Sequence, residues 1–151
     1  MHLVNLKDAT QQVNFQQAVM TGLGRNQGLF FVEHISPLDD LDALLSLSLQ
    51  ERSKVILQHL LGDEFTSSEV SELVDNAFNF PAPVAKVDDS TYCLELFHGP
   101  TLAFKDFGGR FMAECLAQFN QGEKVTILTA TSGDTGAAVA HAFYNKPNID
   151  V

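Results

Sequence analysis

The chain has 151 residues, 45% of them apolar and 19% charged, with a formal net charge of −10. That length can bury a real core in one domain or a domain and a half, and the composition excludes a disordered polypeptide. The acidic balance disfavours nucleic acid and acidic lipid as partners. No apolar run approaches the ~20 residues of a membrane helix, and MHLVNLKDATQQ lacks the basic-then-apolar pattern of a secretory signal. Cys93 and Cys115 have no metal-ligand spacing, so the expectation is a cytoplasmic protein with reduced thiols and no metal.

In chain order, residues 2–6 predict a short strand. Residues 14–24 predict an amphipathic helix ending in glycine, followed by a turn and the apolar strand GLFFV at 28–32. Ser36-Pro37 opens a short helix around 38–47. Ser48 with Glu51, and Thr66 with Glu69, have capping-box spacing ahead of two further helices. The run FPAPVAKVDDS at 80–90, with two prolines and paired aspartates, reads as a connection. Asp39-Asp40 and Asp88-Asp89 read as solvated faces.

From Thr91 the pattern alternates. TYCLELF predicts a strand, HGPT a turn and FKDFGGRFMAECLAQF a helix. VTILTA predicts a second strand, SGDTG a turn and GAAVAHAFYN a helix, before Ile149-Asp150-Val151 opens one more strand. Strand and helix alternation implies a parallel sheet. With its last strand unpaired, the expectation near Val151 is disorder or pairing with another chain.

Two segments carry chemistry. At about 100° per residue, Asp106, Arg110, Glu114 and Gln118 form a polar stripe, and Lys105 lies nearly opposite with Gly109, Met112 and Leu116. A cation at a helix N-terminus faces the positive end of the dipole, and burial disfavours its charge further. A partly neutral lysine is a nucleophile able to form a Schiff base. The competing reading is a lysine that snorkels to water. In the SGDTG turn, backbone N–H groups at a helix start can bind carboxylate or phosphate. Ser132 or Asp134 can equally serve as a simple cap. The turn matches neither the P-loop nor the G-x-G-x-x-G fingerprint. His98 could hydrogen-bond near the site, His141 reads as a packed or capping histidine, and His34 and His59 show no partner pattern.

HGPTLAFKDFGGRF followed by TATSGDTGAAVAHAF resembles the threonine synthase family, pyridoxal-phosphate enzymes of fold type II. VNLKD, NFQQAV and GLGRNQGLFF are similar to the same family, so the likeness covers essentially the whole chain. It implies an α/β fold: a helix-rich N-terminal region, 1–80, a linker, 81–90, and from 91 to 151 the start of an incomplete parallel-sheet domain of the tryptophan-synthase-β type. It implies that Lys105 holds pyridoxal 5′-phosphate as a Schiff base and then moves protons. Ser132, Gly133 and Thr135 would donate to the substrate carboxylate, and Asp134 would meet the cofactor hydroxyl, where the wider group usually carries asparagine. The implied reaction converts O-phospho-L-homoserine and water to L-threonine and phosphate, a lyase step of threonine biosynthesis.

Members of that family run to several hundred residues, and their later part supplies the glycine-rich cofactor-phosphate loop and the partner of the pyridine nitrogen. The expectation is therefore an N-terminal fragment, inactive alone, with possible self-association through its sheet edge. The alternatives are another fold type II amino-acid lyase or dehydratase, and a non-catalytic α/β binding module whose lysine is structural.

Overall fold

The computed structural model describes residues 1–120 and 122–151. They form two compact units, Met1–Glu72 and Leu73–Val151.

In the first unit, β1 (Leu3–Asn5) is the centre of an antiparallel sheet, flanked by β2 (Asp8–Val13) and β3 (Phe30–Val32). Leu3 lies opposite both Val13 and Val32. The polar segment DATQQV of β2 shows no hydrophobic alternation and is not predicted as a strand. A buried side chain draws it in: Asn5, 1% exposed, donates to Gln11 Oε1 at 2.7 Å and to the Arg25 carbonyl at 2.9 Å. Helix α1 (Phe15–Thr21) begins at an Asn14/Gln17 capping box, and the Glu64 carboxylate accepts from the amides of Phe15 and Gln16. An anion there meets the positive end of the helix dipole.

The next helix, α2 (Leu41–Leu45), is shorter than the 38–47 expected, because Asp40 caps it by accepting from Ala43 N at 2.9 Å. Asp40 is thus a structural acceptor and not merely a solvated face. Both capping boxes form as the sequence indicates, Ser48/Glu51 opening α3 (Leu49–Leu61) and Thr66/Glu69 opening α4 (Ser67–Ala77). Leu44, Leu61, Phe65 and Val70 make the core, with Phe15 edge-on to Phe65 at 6.0 Å.

In the second unit, the stretch expected as a connection contains β4 (Val84–Lys86), which pairs antiparallel with β5 (Tyr92–Leu94). Residues 91–97 therefore supply the second strand of a hairpin and not a strand of a parallel sheet. Asp88 closes it by accepting from the amides of Ser90 and Thr91, each at 2.9 Å, and these bonds, Ser90's foremost, hold its carboxyl below the usual range. Then follow α5 (Lys105–Phe119), β6 (Val125–Thr126), α6 (Asp134–Phe143) and β7 (Ile149–Asp150).

The last strand is paired after all: β7 runs parallel to β6, with Val125 opposite Ile149. This β–α–β unit is the parallel element that the alternation predicted. The expected VTILTA strand is regular over only two residues, since among the described residues just Ile127 of its remainder finds a backbone partner, Asp150 O at 2.8 Å. Leu128 is 89% exposed. An apolar strand segment without a neighbouring ladder has nothing to bury its side chains against.

Helices α5 and α6 pack closely. A Cβ placed on Gly109 would lie 3.7 Å from the Ala138 carbonyl and 3.8 Å from Ala142 Cβ, ordinary contact distances that place this glycine against α6. The buried residues of α5 are Asp106, Ala113, Cys115 and Leu116. The face shared by Lys105, Gly109, Met112 and Leu116 is buried only in part: Leu116 is in the core and Gly109 packs on α6, whereas Lys105 is half-buried and Met112 is 39% exposed. Nor is there a solvated polar stripe. Asp106 is fully buried, Arg110 donates to the carbonyls of Asn76 and Ala77 at the end of α4, and Glu114 pairs with Lys146 at 2.6 Å. Phe107 joins the rings of Phe78 and Phe80.

Candidate functional site

Lys105 is the first residue of α5. Its Nζ sits 4.1 Å from the centroid of the exposed Phe104 ring and makes no hydrogen bond or ion pair among the described residues. A cation over an aromatic face is worth only about 0.5–1 kcal/mol at an exposed site, so the amine is held loosely.

The approach to this lysine is held firmly. Residues 99–104 fold over the start of α5, with Leu102 N donating to the Gly99 carbonyl at 3.1 Å. Leu102 has φ +59°, uncommon for any residue with a Cβ. Asp106 is 0% exposed and accepts from Thr101 twice, the backbone N–H at 2.9 Å and the hydroxyl at 2.7 Å. Gly99 lies flat against that carboxyl group: a Cβ there would fall 2.4 Å from Asp106 Oδ2.

The 132–136 turn has its own support. Thr131 Oγ1 accepts from Gly133 N at 3.1 Å and from Gly136 N at 2.9 Å. The N-cap position of α6 is Gly133, and the side chain that accepts from the first turn is Thr131, not Ser132 or Asp134. Gly133 stands at φ +149°, ψ −67°, with open space where a Cβ would be. Ser132, Gly133 and Asp134 are exposed and Thr135 half-buried, and the hydroxyls of Ser132 and Thr135 have no partner among the described residues. No hydrogen bond of the described residues engages the amides of Asp134 and Thr135. Sequence reasoning finds the exposed turn but not Thr101, Asp106 or Thr131. Each was legible only as a threonine five residues before an aspartate or glycine in a first helical turn.

The two segments share one end of the helix pair. Gly109 in α5 faces Ala138 and Ala142 in α6, and further along Glu114 reaches Lys146 beyond the end of α6. Advancing along one helix thus advances along the other, so their N-termini, bearing Lys105 and Asp134, lie at the same end. Two other candidates are spent on structure or lie apart. His98 Nε2 is 2.7 Å from Glu95 Oε2, and His141 is exposed near the far end of α6. Burial, with the Glu114 charge second, pushes the Cys115 thiol up to about 12, so it is no nucleophile. No group of three metal-ligating side chains, and no helix long and apolar enough to cross a membrane, is found among the described residues.

Fold and motifs define an α/β protein whose residues 4–78 match the family model described as "Threonine synthase N terminus". Across all 151 residues the chain is 59% identical to threonine synthase from Haemophilus influenzae and, in an alignment over 153 residues, 58% identical to that from Escherichia coli K12. In each case it covers 100% of itself and 36% of the relative. The crystal structure of threonine synthase from Escherichia coli superposes with a TM-score of 0.92 over 99% of this chain and 35% of that one. The PLP-bound threonine synthase from Brucella melitensis, 31% identical, gives 0.90 over 99% and 34%. The chain belongs to the threonine synthase family, and it spans about 36% of the length of the curated relatives it matches, at their N-terminal end.

Proposed function

We propose that this chain supplies the lysine and substrate-turn portion of a threonine synthase, a pyridoxal-phosphate-dependent carbon–oxygen lyase. The reaction would turn O-phospho-L-homoserine and water into L-threonine and phosphate in the cytoplasm. One observation carries the reading: an uncommitted amine and an exposed glycine turn with unengaged donors lie at the same end of the α5–α6 pair.

The residues present fit the cofactor. Lys105 Nζ has no carboxylate to displace before it can join an aldehyde, and a loosely held amine is suited to Schiff-base chemistry. Bound pyridoxal phosphate would supply the electron withdrawal that makes protons on the substrate carbons labile. Lys105 Nζ would take up and return those protons as acid and base. Ser132 and Thr135 would donate hydroxyl hydrogens to the substrate carboxylate, joined by the free amides at the start of α6, where the dipole favours an anion. The Gly133 N–H is already given to Thr131, so Gly133 would contribute open approach instead of a donor. Asp134 would face the cofactor hydroxyl.

A polypeptide of these 151 residues alone, about 36% of its relatives' length, is expected to release no phosphate from O-phospho-L-homoserine. The test adds pyridoxal phosphate and follows imine absorbance. A band that persists in Lys105→Ala removes Lys105 from the site, and phosphate release by the 151-residue chain overturns its expected inactivity.

A further inference from the structure

We infer that Asp106 and Thr101 form a clamp that positions the Lys105 amine, a role that rests on the functional reading above. Asp106 touches neither substrate nor cofactor in this proposal. It is the residue next to the lysine, 0% exposed, and both of its oxygens are taken by one partner, Thr101.

The clamp is needed because the loop it holds does not favour its own shape. Leu102 follows Thr101 directly and sits at φ +59°. An L residue with a branched side chain held there costs on the order of 1 kcal/mol or more and persists only where its surroundings enforce it. Leu102 is 74% exposed, so packing does not supply the constraint. What holds it are its own N–H bond to the Gly99 carbonyl at 3.1 Å and the two bonds from Thr101 to Asp106. Gly99 lets the carboxyl group lie against the loop backbone, and the chain then runs through Ala103 and Phe104 into Lys105. Asp106 N donates back to the Ala103 carbonyl at 3.0 Å, which closes the first turn. Three residues on one side of the lysine and one on the other thus fix its Cα, while its side chain rests only on the Phe104 face. The position of the amine is set through the backbone, not through contacts of its own.

Hydrogen-bond chemistry separates this positioning role from a proton-transfer role. In Asp106→Asn the amide oxygen still accepts from Thr101 N–H, and the new NH₂ donates to the Thr101 hydroxyl, which can accept as readily as donate. The asparagine therefore keeps the clamp, whereas Asp106→Ala and Thr101→Val break it. Thr101→Val is the milder variant, retaining the backbone bond, and it serves if the alanine chain does not fold.

The experiment treats each variant of the whole chain with limiting pyridoxal phosphate, reduces with borohydride, and compares labelling of Lys105 with that of Lys7, Lys54, Lys86, Lys124 and Lys146 by peptide mapping. Unfolding would equalise the six amines, so only variants whose far-ultraviolet circular dichroism matches the native chain are compared, and the ratio then reports position. We expect preferential labelling of Lys105 in the native chain and in Asp106→Asn. The preference should fall by ~10- to ~100-fold in Asp106→Ala and Thr101→Val, the scale set by displacing a reacting group by up to an ångström. A native preference that survives in Thr101→Val and Asp106→Ala overturns the clamp and leaves the functional reading standing. Loss of the preference in Asp106→Asn as well would show that the carboxylate charge, not the hydrogen-bonded clamp, is what Lys105 needs, and also overturn it. A native chain with no preference for Lys105 removes both.

Discussion

Replacing Gly99 by alanine strikes the best-defined contact near the candidate site. The new Cβ would lie 2.4 Å from Asp106 Oδ2, 2.7 Å from its Cβ and 2.9 Å from its Cγ. Ordinary contact begins near 3.4 Å, so the loop and the carboxyl group must separate by about an ångström. Asp106 is fully buried and has no solvent to swing into. Overpacking costs about 1–3 kcal/mol, and stretching Thr101's bonds to a buried acceptor costs a further ~1–3. The alanine recovers about 0.4–1 kcal/mol by restricting the unfolded chain. The net expectation is a loss of about 3 kcal/mol, a large share of a typical domain's stability.

The chain has no tryptophan and two tyrosines, Tyr92 and Tyr144, both in the second unit, so tyrosine fluorescence in urea reads that unit alone. In an Asp106→Gly background all three of the clashing atoms are gone. The Gly99→Ala penalty should then fall below about 1 kcal/mol, giving a large coupling energy in the double-mutant cycle. A Gly99→Ala chain within 0.5 kcal/mol of the parent (roughly the limit for a substitution away from such features) would refute the close approach.

The thiols should differ sharply. A disulfide-exchange reagent at neutral pH should modify exposed Cys93 and leave buried Cys115 untouched until the chain unfolds. Because the Cys115 thiol is raised from 9.0 to about 12, the unfolded state releases its proton first; stability should fall as pH rises from about 9 toward 12, by ~1.4 kcal/mol per unit, and Cys115→Ala should flatten that slope. Lys146→Met strands Glu114, whose side chain is 16% exposed, and should cost about 2–3 kcal/mol in tyrosine-monitored unfolding, most of it recovered by adding Glu114→Gln. Thr131→Val leaves the amides of Gly133 and Gly136 without their acceptor and should destabilise the second unit by about 1 kcal/mol while raising amide exchange at 133 and 136.

Local chemistry wrote much of this chain openly. Capping boxes need only a hydroxyl or amide and a residue three positions on, so the starts of α1, α3 and α4 follow from residues that are neighbours in sequence. The helix after Lys105, the glycine turn after Thr131 and the β–α–β order of 125–150 are likewise local in origin. Only folding decided the rest, since the partners concerned lie far apart or depend on which side of an element is covered. Polar β2 is a strand because Asn5 is buried against Gln11 and Arg25. Prolines and aspartates at 80–90 make a hairpin because Asp88 turns the chain back onto β5. Helical periodicity places Asp106 on a polar stripe, and tertiary packing buries it completely beside the lysine. Periodicity gives the angle of a side chain about its helix but not which neighbours arrive at that angle, and for Asp106 the neighbours are a threonine and a glycine in the preceding loop.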